Sequence, residues 1–344
     1  MDIALTTYSK SSGCGCKLPK AALSEMLQGL SVSPETFTNL LVGNHTSDDA
    51  AVVRTDSGMC LISTVDFFTP MVDDASDYGI IASCNALSDV FAMGGKPFLA
   101  LAVLGWPSGQ IPSVIANQIL GAASQVCANA GVALAGGHTI ESKELFFGLC
   151  VNGWVTEKKL KKNSTAQIGD KIYLSRALGS GLLSAAYKRG QIKSEWTEAW
   201  MQSMKHLNAE GSLLADSEEV HAMTDVTGFG LCGHLMEMME GAGLSALVKK
   251  SAIPLLKGAE ECVRSMIYPD ITTNNLKAIQ GHVKGLEGLD FLVYCDPQTN
   301  GPLLFTASSY AEKTIEEMMI TNGYNAPVCI GEVVHKQAEQ IIFN

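Results

Sequence analysis

Acidic residues stand where the pattern of the chain changes from strand or helix to loop. Asp48 and Asp49 precede an apolar run at 50–54, Asp66 follows another at 60–65, Asp89 lies near the end of a helical pattern, and Asp225 sits in Met223-Thr-Asp-Val-Thr-Gly228. Taken singly, each reads as a turn or cap residue, because a carboxylate in such a place bonds nearby backbone amides. Brought together in one cleft, they would repel one another and any phosphate unless a hard cation bridged the two parties. Mg2+ suits that role, since it takes one or two carboxylates and completes its shell with substrate phosphates and water. Glycines accompany the acids in Gly136-Gly137-His138-Thr139, Gly179-Ser180-Gly181 and Gly228-Phe229-Gly230-Leu231-Cys232-Gly233. Read as turns, these let backbone amides approach a phosphate. The last has the form G-x-G-x-x-G, but residues 222–227 are too polar for a Rossmann strand and no acid stands beside Leu247, which excludes the dinucleotide fold. Gly94-Gly95-Lys96 runs into Pro97 and lacks the upstream glycine of a Walker A loop. Metal–phosphate chemistry on a nucleotide site of another kind is what remains.

Gly13-Cys14-Gly15-Cys16-Lys17 alternates two thiols with glycines and ends on a cation. It reads either as half of a zinc or redox site, although no second Cys or His pair stands at zinc spacing, or as a reactive thiol on a lid. In the second reading Lys17 favours the thiolate of Cys14 and the glycines let the segment fold over a substrate. His138 lies inside the glycine turn, where a turn role and a binding role are equally open; His234, on a helical stretch, reads as a packed or surface residue more readily than as a catalyst.

These residues need a scaffold of two domains, because 344 residues exceed the roughly 250–300 at which one core stops growing. A hydrophobic content of 47% with 17% charged residues is globular. A formal charge of −11 argues against a nucleic-acid or anionic-membrane partner, and the absence of a long apolar run or signal-like start predicts a cytoplasmic protein. Apart from Cys14 and Cys16, the cysteines are scattered singly among apolar residues and read as buried hydrophobes. Residues 1–18 predict a mobile lead-in. A helix is expected from Pro19 to Leu30, then strands near 50–54, 60–65, 98–104, 132–135 and 145–155 with helices over 78–93 and 112–129. The polar run 156–169 marks a boundary between an α/β domain at 19–157 and a second at 165–344. In the second, strands are expected near 171–175, 246–249, 291–295, 303–306 and 328–333, with helices over 181–189, 196–217, 230–241 and 310–322.

The chain resembles the selenophosphate synthetase (selenide, water dikinase) family over nearly its whole length. Seven motifs carry the resemblance in order: Ser12-Gly-Cys-Gly-Cys-Lys17; Leu41-Val-Gly-Asn44 with Asp48-Asp-Ala-Ala-Val52; Ser63-Thr-Val-Asp-Phe-Phe68; Asn85-Ala-Leu-Ser-Asp-Val-Phe-Ala-Met-Gly-Gly-Lys-Pro97; Ala135-Gly-Gly-His138; Met223-Thr-Asp-Val-Thr-Gly-Phe-Gly230; and Asp296-Pro-Gln-Thr299. The resemblance implies an α/β, two-domain fold of the aminoimidazole ribonucleotide synthetase type, with strands of the first domain forming a homodimer interface. It implies that selenide, ATP and water yield selenophosphate, AMP and phosphate. The essential thiol and lysine fall on Cys14 and Lys17, and the Mg2+ ligands on Asp49, Asp89 and Asp225. Nucleotide contacts fall on Lys17, Thr46, Ser47, Asp48, Asp66, Asp89, Gly137, His138 and Thr139. A requirement for a monovalent cation, K+, stays open. Two departures stand out: Asn300-Gly301-Pro302 where Ser-Gly-Gly is usual, and Arg176-Ala177 where Lys-Pro is usual. The rivals are another kinase or ligase of the same superfamily, which would not carry the Cys-Gly-Cys-Lys lid, and a silent nucleotide-binding partner.

Overall fold

The computed structural model describes residues 3–9, 12–18, 20–27, 37–43 and 47–344. The expected helix start at Pro19, its last apolar position Leu30, and the expected nucleotide contact Thr46 lie outside the described residues.

In the first half, strands β1 Leu40–Val42, β2 Ala51–Arg54, β3 Met59–Phe68, β4 Lys96–Trp106, β5 Ala133–Glu141 and β6 Phe146–Thr156 form one sheet in the order β1-β2-β3-β6-β4-β5. The β4–β5 pair is parallel and the others are antiparallel. Helices α1 Lys20–Leu27, α2 Ala75–Ala92 and α3 Ser113–Asn129 complete the half. The two-residue period of β3 turns Cys60, Ile62, Asp66 and Phe68 to the covered side and leaves Val65 and Phe67 exposed. Asp66 thereby faces the layer that holds α2. That helix is apolar almost all round, and from Ile81 to Ala92 every residue is buried, which is the composition of a helix covered on all sides. Asp74 caps its start, its side chain accepting from the amide of Asp77 at 2.8 Å.

The second half holds β7 Lys171–Leu174, β8 Val220–Asp225, β9 Ser245–Val248, β10 Val283–Lys284, β11 Leu303–Ala307, β12 Val328–Val334 and β13 Ile341–Phe343 in the order β10-β13-β9-β12-β7-β11-β8. Helices α4 Ser180–Lys188, α5 Ser194–Met204, α6 Glu210–Leu214, α7 Gly230–Ala242, α8 Ala259–Arg264, α9 Ile271–Ala278, α10 Phe291–Tyr294 and α11 Glu312–Thr321 accompany it. The apolar core of the first half runs on into Leu182 and Leu183 of α4 and Trp196 and Trp200 of α5, so the two sheets share packing across their junction. Among the described residues no helix is long and apolar enough to cross a membrane.

Several expectations are corrected. The predicted glycine turn at 136–139 is the interior of β5. Gly137, at φ 154°, lies opposite Ala102, and a Cβ there would meet the Ala102 carbonyl oxygen at 2.1 Å; the glycine serves close strand approach. Residues 291–295 form the short helix α10 and its C-cap instead of a strand, because a brief apolar run has no period of its own. The helix expected over 196–217 divides into α5 and α6, and Asn208 in the break is drawn inward to donate to Ser88 Oγ at 2.7 Å and the Gly301 carbonyl at 3.0 Å. Residues 222–227, read as too polar for a Rossmann strand, belong in part to the edge strand β8, whose Thr224 is paired with Asp49 at 2.7 Å.

The two unusual segments touch. Arg176, just beyond β7, donates through Nη2 to the carbonyls of Asn300 and Gly301, both at 2.9 Å, and through Nη1 to Asn208 Oδ1. Its guanidinium is 11% exposed and stands 3.5 Å from the buried Glu210. Asn300 itself has φ 49°, held by its own side chain donating to the carbonyls of Met204 and His206. A lysine at 176 keeps the charge but not the fork. Arg176→Lys should therefore lower unfolding stability by about 1–3 kcal/mol, read as a lower denaturant midpoint at unchanged slope.

Candidate active site

The site is assembled where the end of β3, the second half of α2, the end of β8 and the 12–18 segment meet. Gly13 opens that segment with its amide on the Thr69 carbonyl at 3.0 Å. Its φ is 53°, and a Cβ would come within 2.4 Å of Thr299 Oγ1, so only glycine fits. Cys14–Cys16 then make a single 3-10 turn, and the Cys14 amide donates to Thr299 Oγ1 at 3.2 Å. The described part of the N-terminus is thus docked, with Leu5 and Cys14 fully buried, where an extended lead-in was expected.

Lys17 reaches Asp66 Oδ2 at 3.0 Å. Burial works against its ammonium, yet the carboxylates of Asp66 and Asp89 outweigh it and hold the Lys17 pKa well above the ordinary value. The same oxygen of Asp66 accepts from Asn85 Nδ2 at 2.7 Å, and the Cys14 thiol donates to Asn85 Oδ1 at 3.4 Å. Burial pushes the Cys14 thiol well up, and the attraction of Lys17 is the smaller effect. This corrects the expected thiolate: in the docked segment Cys14 is a thiol and Lys17 serves Asp66.

Three further carboxylates stand alongside, each tied by one oxygen to a hydroxyl on a neighbouring element. Asp49 Oδ1 accepts from Thr224 at 2.7 Å, Asp89 Oδ2 from Thr64 at 2.6 Å, and Asp225 Oδ2 from Ser88 at 2.5 Å. Burial first, and repulsion from Asp225 second, pushes the Asp49 and Asp89 carboxyls far above the usual range. Asp225 is pushed up to about 6, burial again leading. The other oxygen of Asp49 is buried without a hydrogen-bond partner. Among the described residues no three His, Cys, Asp or Glu side chains already close on one point as a metal cage. Hard, mutually repelling oxygens with a buried oxygen left over fit a cation that takes the rest of its shell from phosphate, which is the habit of Mg2+.

Other predicted residues play different parts. Asp48 accepts the Asn163 amide at 2.7 Å, and the Ser47 carbonyl accepts Asn163 Nδ2 at 2.8 Å, with Ser47 at φ 53°; both pin the start of β2 to the interdomain stretch. Gly137, His138 and Thr139 are not brought to the carboxylates. Gly137 shares a cross-strand row with Asp66 through Leu149 and Ala102, three strand spacings or about 14 Å away, on an exposed edge. His234 is buried and accepts the Thr227 amide at 3.1 Å, which falls within the packed or surface placement expected of it. Cys16 lies against Thr69, and all ten cysteines are free. A cleft of about 290 Å3 is lined by Ser12, Gly15, Gly181, Lys188 and Thr299. No role was foreseen for Asn85, Ser88, Thr64, Thr224 or Thr299. Asn85 had a signal, since it precedes Asp89 by one helical turn and so shares its face.

Residues 47–155 match the family model of the AIR synthase related protein N-terminal domain, and residues 167–344 that of the C-terminal domain. The selenide, water dikinase of Colwellia psychrerythraea is 42% identical over 332 residues, 96% of each chain. That of Shewanella baltica is 42% identical over 96% of this chain and 94% of its own. The chain belongs to the selenide, water dikinase family. The two-domain fold expected from the dikinase family resemblance is borne out as well by solved structures. A thiamine-monophosphate kinase from Stenotrophomonas maltophilia has a TM-score of 0.66 at 19% identity, covering 95% of this chain and 97% of its own. A chain of the HypE-HypF complex has a TM-score of 0.70 at 19% identity, covering 90% and 94%. At that identity the likeness is one of fold.

If the carboxylates hold a cation, Asp225→Asn keeps the Ser88 contact and the volume while removing one charge. Mg2+-dependent ATP binding should weaken at least tenfold, with the melting temperature unchanged or raised because buried repulsion is relieved. Calorimetric titration of ATP with and without Mg2+ reads the first, and a thermal melt of the metal-free protein the second.

Proposed function

We infer that the chain catalyses ATP-dependent synthesis of selenophosphate from selenide and water, releasing AMP and phosphate. The observation that carries this reading is the continuous link from Cys14 through Asn85 and Asp66 to Lys17, set beside Asp49, Asp89 and Asp225. A selenium-handling thiol and a phosphate-handling cluster are thus parts of one buried site.

Asp49, Asp89 and Asp225 would hold Mg2+, which supplies charge neutralisation for the ATP phosphates. Lys17 offers its ammonium to the charge that develops on the transferred phosphoryl group, exchanging Asp66 for phosphate oxygen. Ser47, Asp48, Asp66 and Asp89 line the nucleotide side. Cys14 positions selenium, and the docked 12–18 segment keeps water from the γ-phosphoryl group until selenium has attacked it. Water is used afterwards, on the remaining ADP. A cytoplasmic setting agrees with reduced thiols and with selenide as a substrate.

A homodimer accounts for Gly137, His138 and Thr139. Val65, Phe67, Leu101, Ile140 and Trp154 are each between 38% and 56% exposed, and Val65, Cys150 and Leu101 form one cross-strand row. Such an apolar face beside the open edge of β5 calls for a cover. A second copy seated there would bring residues 137–139 to its partner's nucleotide. Sedimentation should give twice the 36.5 kDa of one chain; a monomer at micromolar concentration would refute the dimer.

The reaction itself is read by phosphorus NMR on the protein incubated anaerobically with ATP, Mg2+ and selenide. AMP, phosphate and a selenium-coupled phosphorus signal are expected. ADP as the sole nucleotide product would place the chain with ordinary kinases instead.

A further inference from the structure

The orientation of the Asn85 amide follows from its neighbours. Asn300 presents a backbone N–H at 2.8 Å, which only the amide oxygen can accept, and Asp66 presents a carboxylate oxygen at 2.7 Å, which only the amide nitrogen can serve. Asn85 is completely buried, and both bonds are lost if it flips. The sulfur of Cys14 therefore faces a fixed acceptor, Asn85 Oδ1, at 3.4 Å. A thiol there donates; a thiolate or any other anion on that sulfur meets the negative end of a carbonyl dipole that cannot turn away.

We propose that Asn85 is a positioning residue that accepts only the protonated form of Cys14, so that docking of the 12–18 segment and protonation of its thiol are linked. The linkage is independent of the reading of Cys14 as the selenium-handling thiol. The groups that bear on the thiol act in the same sense on balance. Burial disfavours its ionisation, as do Asp66 on β3, Asp225 on β8 and the neighbouring Cys16, with Lys17 alone pulling the other way. The hydrogen bonds Gly13 N–H to the Thr69 carbonyl and Cys14 N–H to Thr299 Oγ1 are indifferent to pH, whereas burial also pushes up the Cys16 thiol, so the pH profiles are compared in a Cys16→Ser background.

The sign of the linkage is definite. A thiol whose docked pKa exceeds its undocked value supports docking fully below the undocked value, about 8.5 for a free cysteine. Above it, docking weakens about tenfold per pH unit until the docked value is reached. Hydrogen exchange of the Gly13 and Cys14 amides measures docking directly in the full chain without ATP, metal or selenium, so its outcome is independent of the proposed reaction. Protection factors, corrected for intrinsic exchange and followed from pH 7 to 10, should fall about tenfold per unit above pH 8.5, while those of β6 stay level. In Cys14→Ser, whose hydroxyl donates and does not ionise, they should stay level throughout. Cys14→Ala should cost about tenfold at pH 7 in the native background and little in Asn85→Leu, as a pair interaction requires. A parallel fall in Cys14→Ser, a level profile where Cys14 is kept, or an equal cost of Cys14→Ala with and without Asn85 would overturn the proposal. Should Asn85→Leu not fold, the comparison of Cys14 with Cys14→Ser in the Cys16→Ser background decides alone.

Discussion

Repulsion among buried carboxylates is the constraint around which this structure is arranged. Asp66, Asp89 and Asp225 are each less than a tenth exposed, and Asp49 and Asp89 both feel Asp225. Such a cluster opposes folding, because each charge loses its hydration and gains a like neighbour. The fold tolerates it by distributing the donors. Thr64 on β3, Ser88 on α2 and Thr224 on β8 each serve one carboxylate, and Lys17 arrives from the far N-terminus to pair with Asp66. No single element could supply them all, so the site exists only when both halves are together.

The junction between the halves is correspondingly polar at its centre and apolar around it. Asn85 joins Asp66, Cys14 and the Asn300 backbone, while Asn208 joins Ser88 to Gly301. Buried amides of this kind specify one relative placement, because any slip leaves several donors and acceptors unsatisfied at once. Arg176 extends the same net to the 300–301 turn. The two segments that look unusual in sequence are thus one structural feature, with the guanidinium holding carbonyls in a turn whose following residue, Pro302, brings no N–H of its own.

Much of this was legible from residue types. The periodicity of 60–65 and 78–93 placed a strand and a helix within a few residues of β3 and α2, and acids at element ends marked the site before any geometry was known. What escaped notice depended on tertiary partners. Residues 222–227 look too polar for a strand because Thr224 spends its polarity on Asp49, far away in sequence. The glycines at 136–137 suggest a turn, since sequence does not distinguish a glycine needed for positive φ in a loop from one needed because another backbone lies 2.1 Å from its missing Cβ. Likewise, Lys17 next to Cys14 suggests an activated thiolate until Asp66, 49 residues on, takes the lysine.

Selenide and ATP are both anions, the chain carries a formal charge of −11, and the lysine nearest the thiol is already paired. An anionic selenium species approaching through the carboxylates would meet Asp49, Asp89 and Asp225 with no net attraction. The N-terminal segment brings its sulfur to this site as a neutral thiol on a backbone of its own, with glycines at 13 and 15. The docking bonds of Gly13 and Cys14 and the pairing of Lys17 with Asp66 then hold that sulfur beside the carboxylates without adding a further negative charge. A thiol rooted on α2 or β3 would be buried there at every pH, whereas one carried on a separate segment gains its place only by docking, which is a physical reason for placing the sulfur outside both sheets.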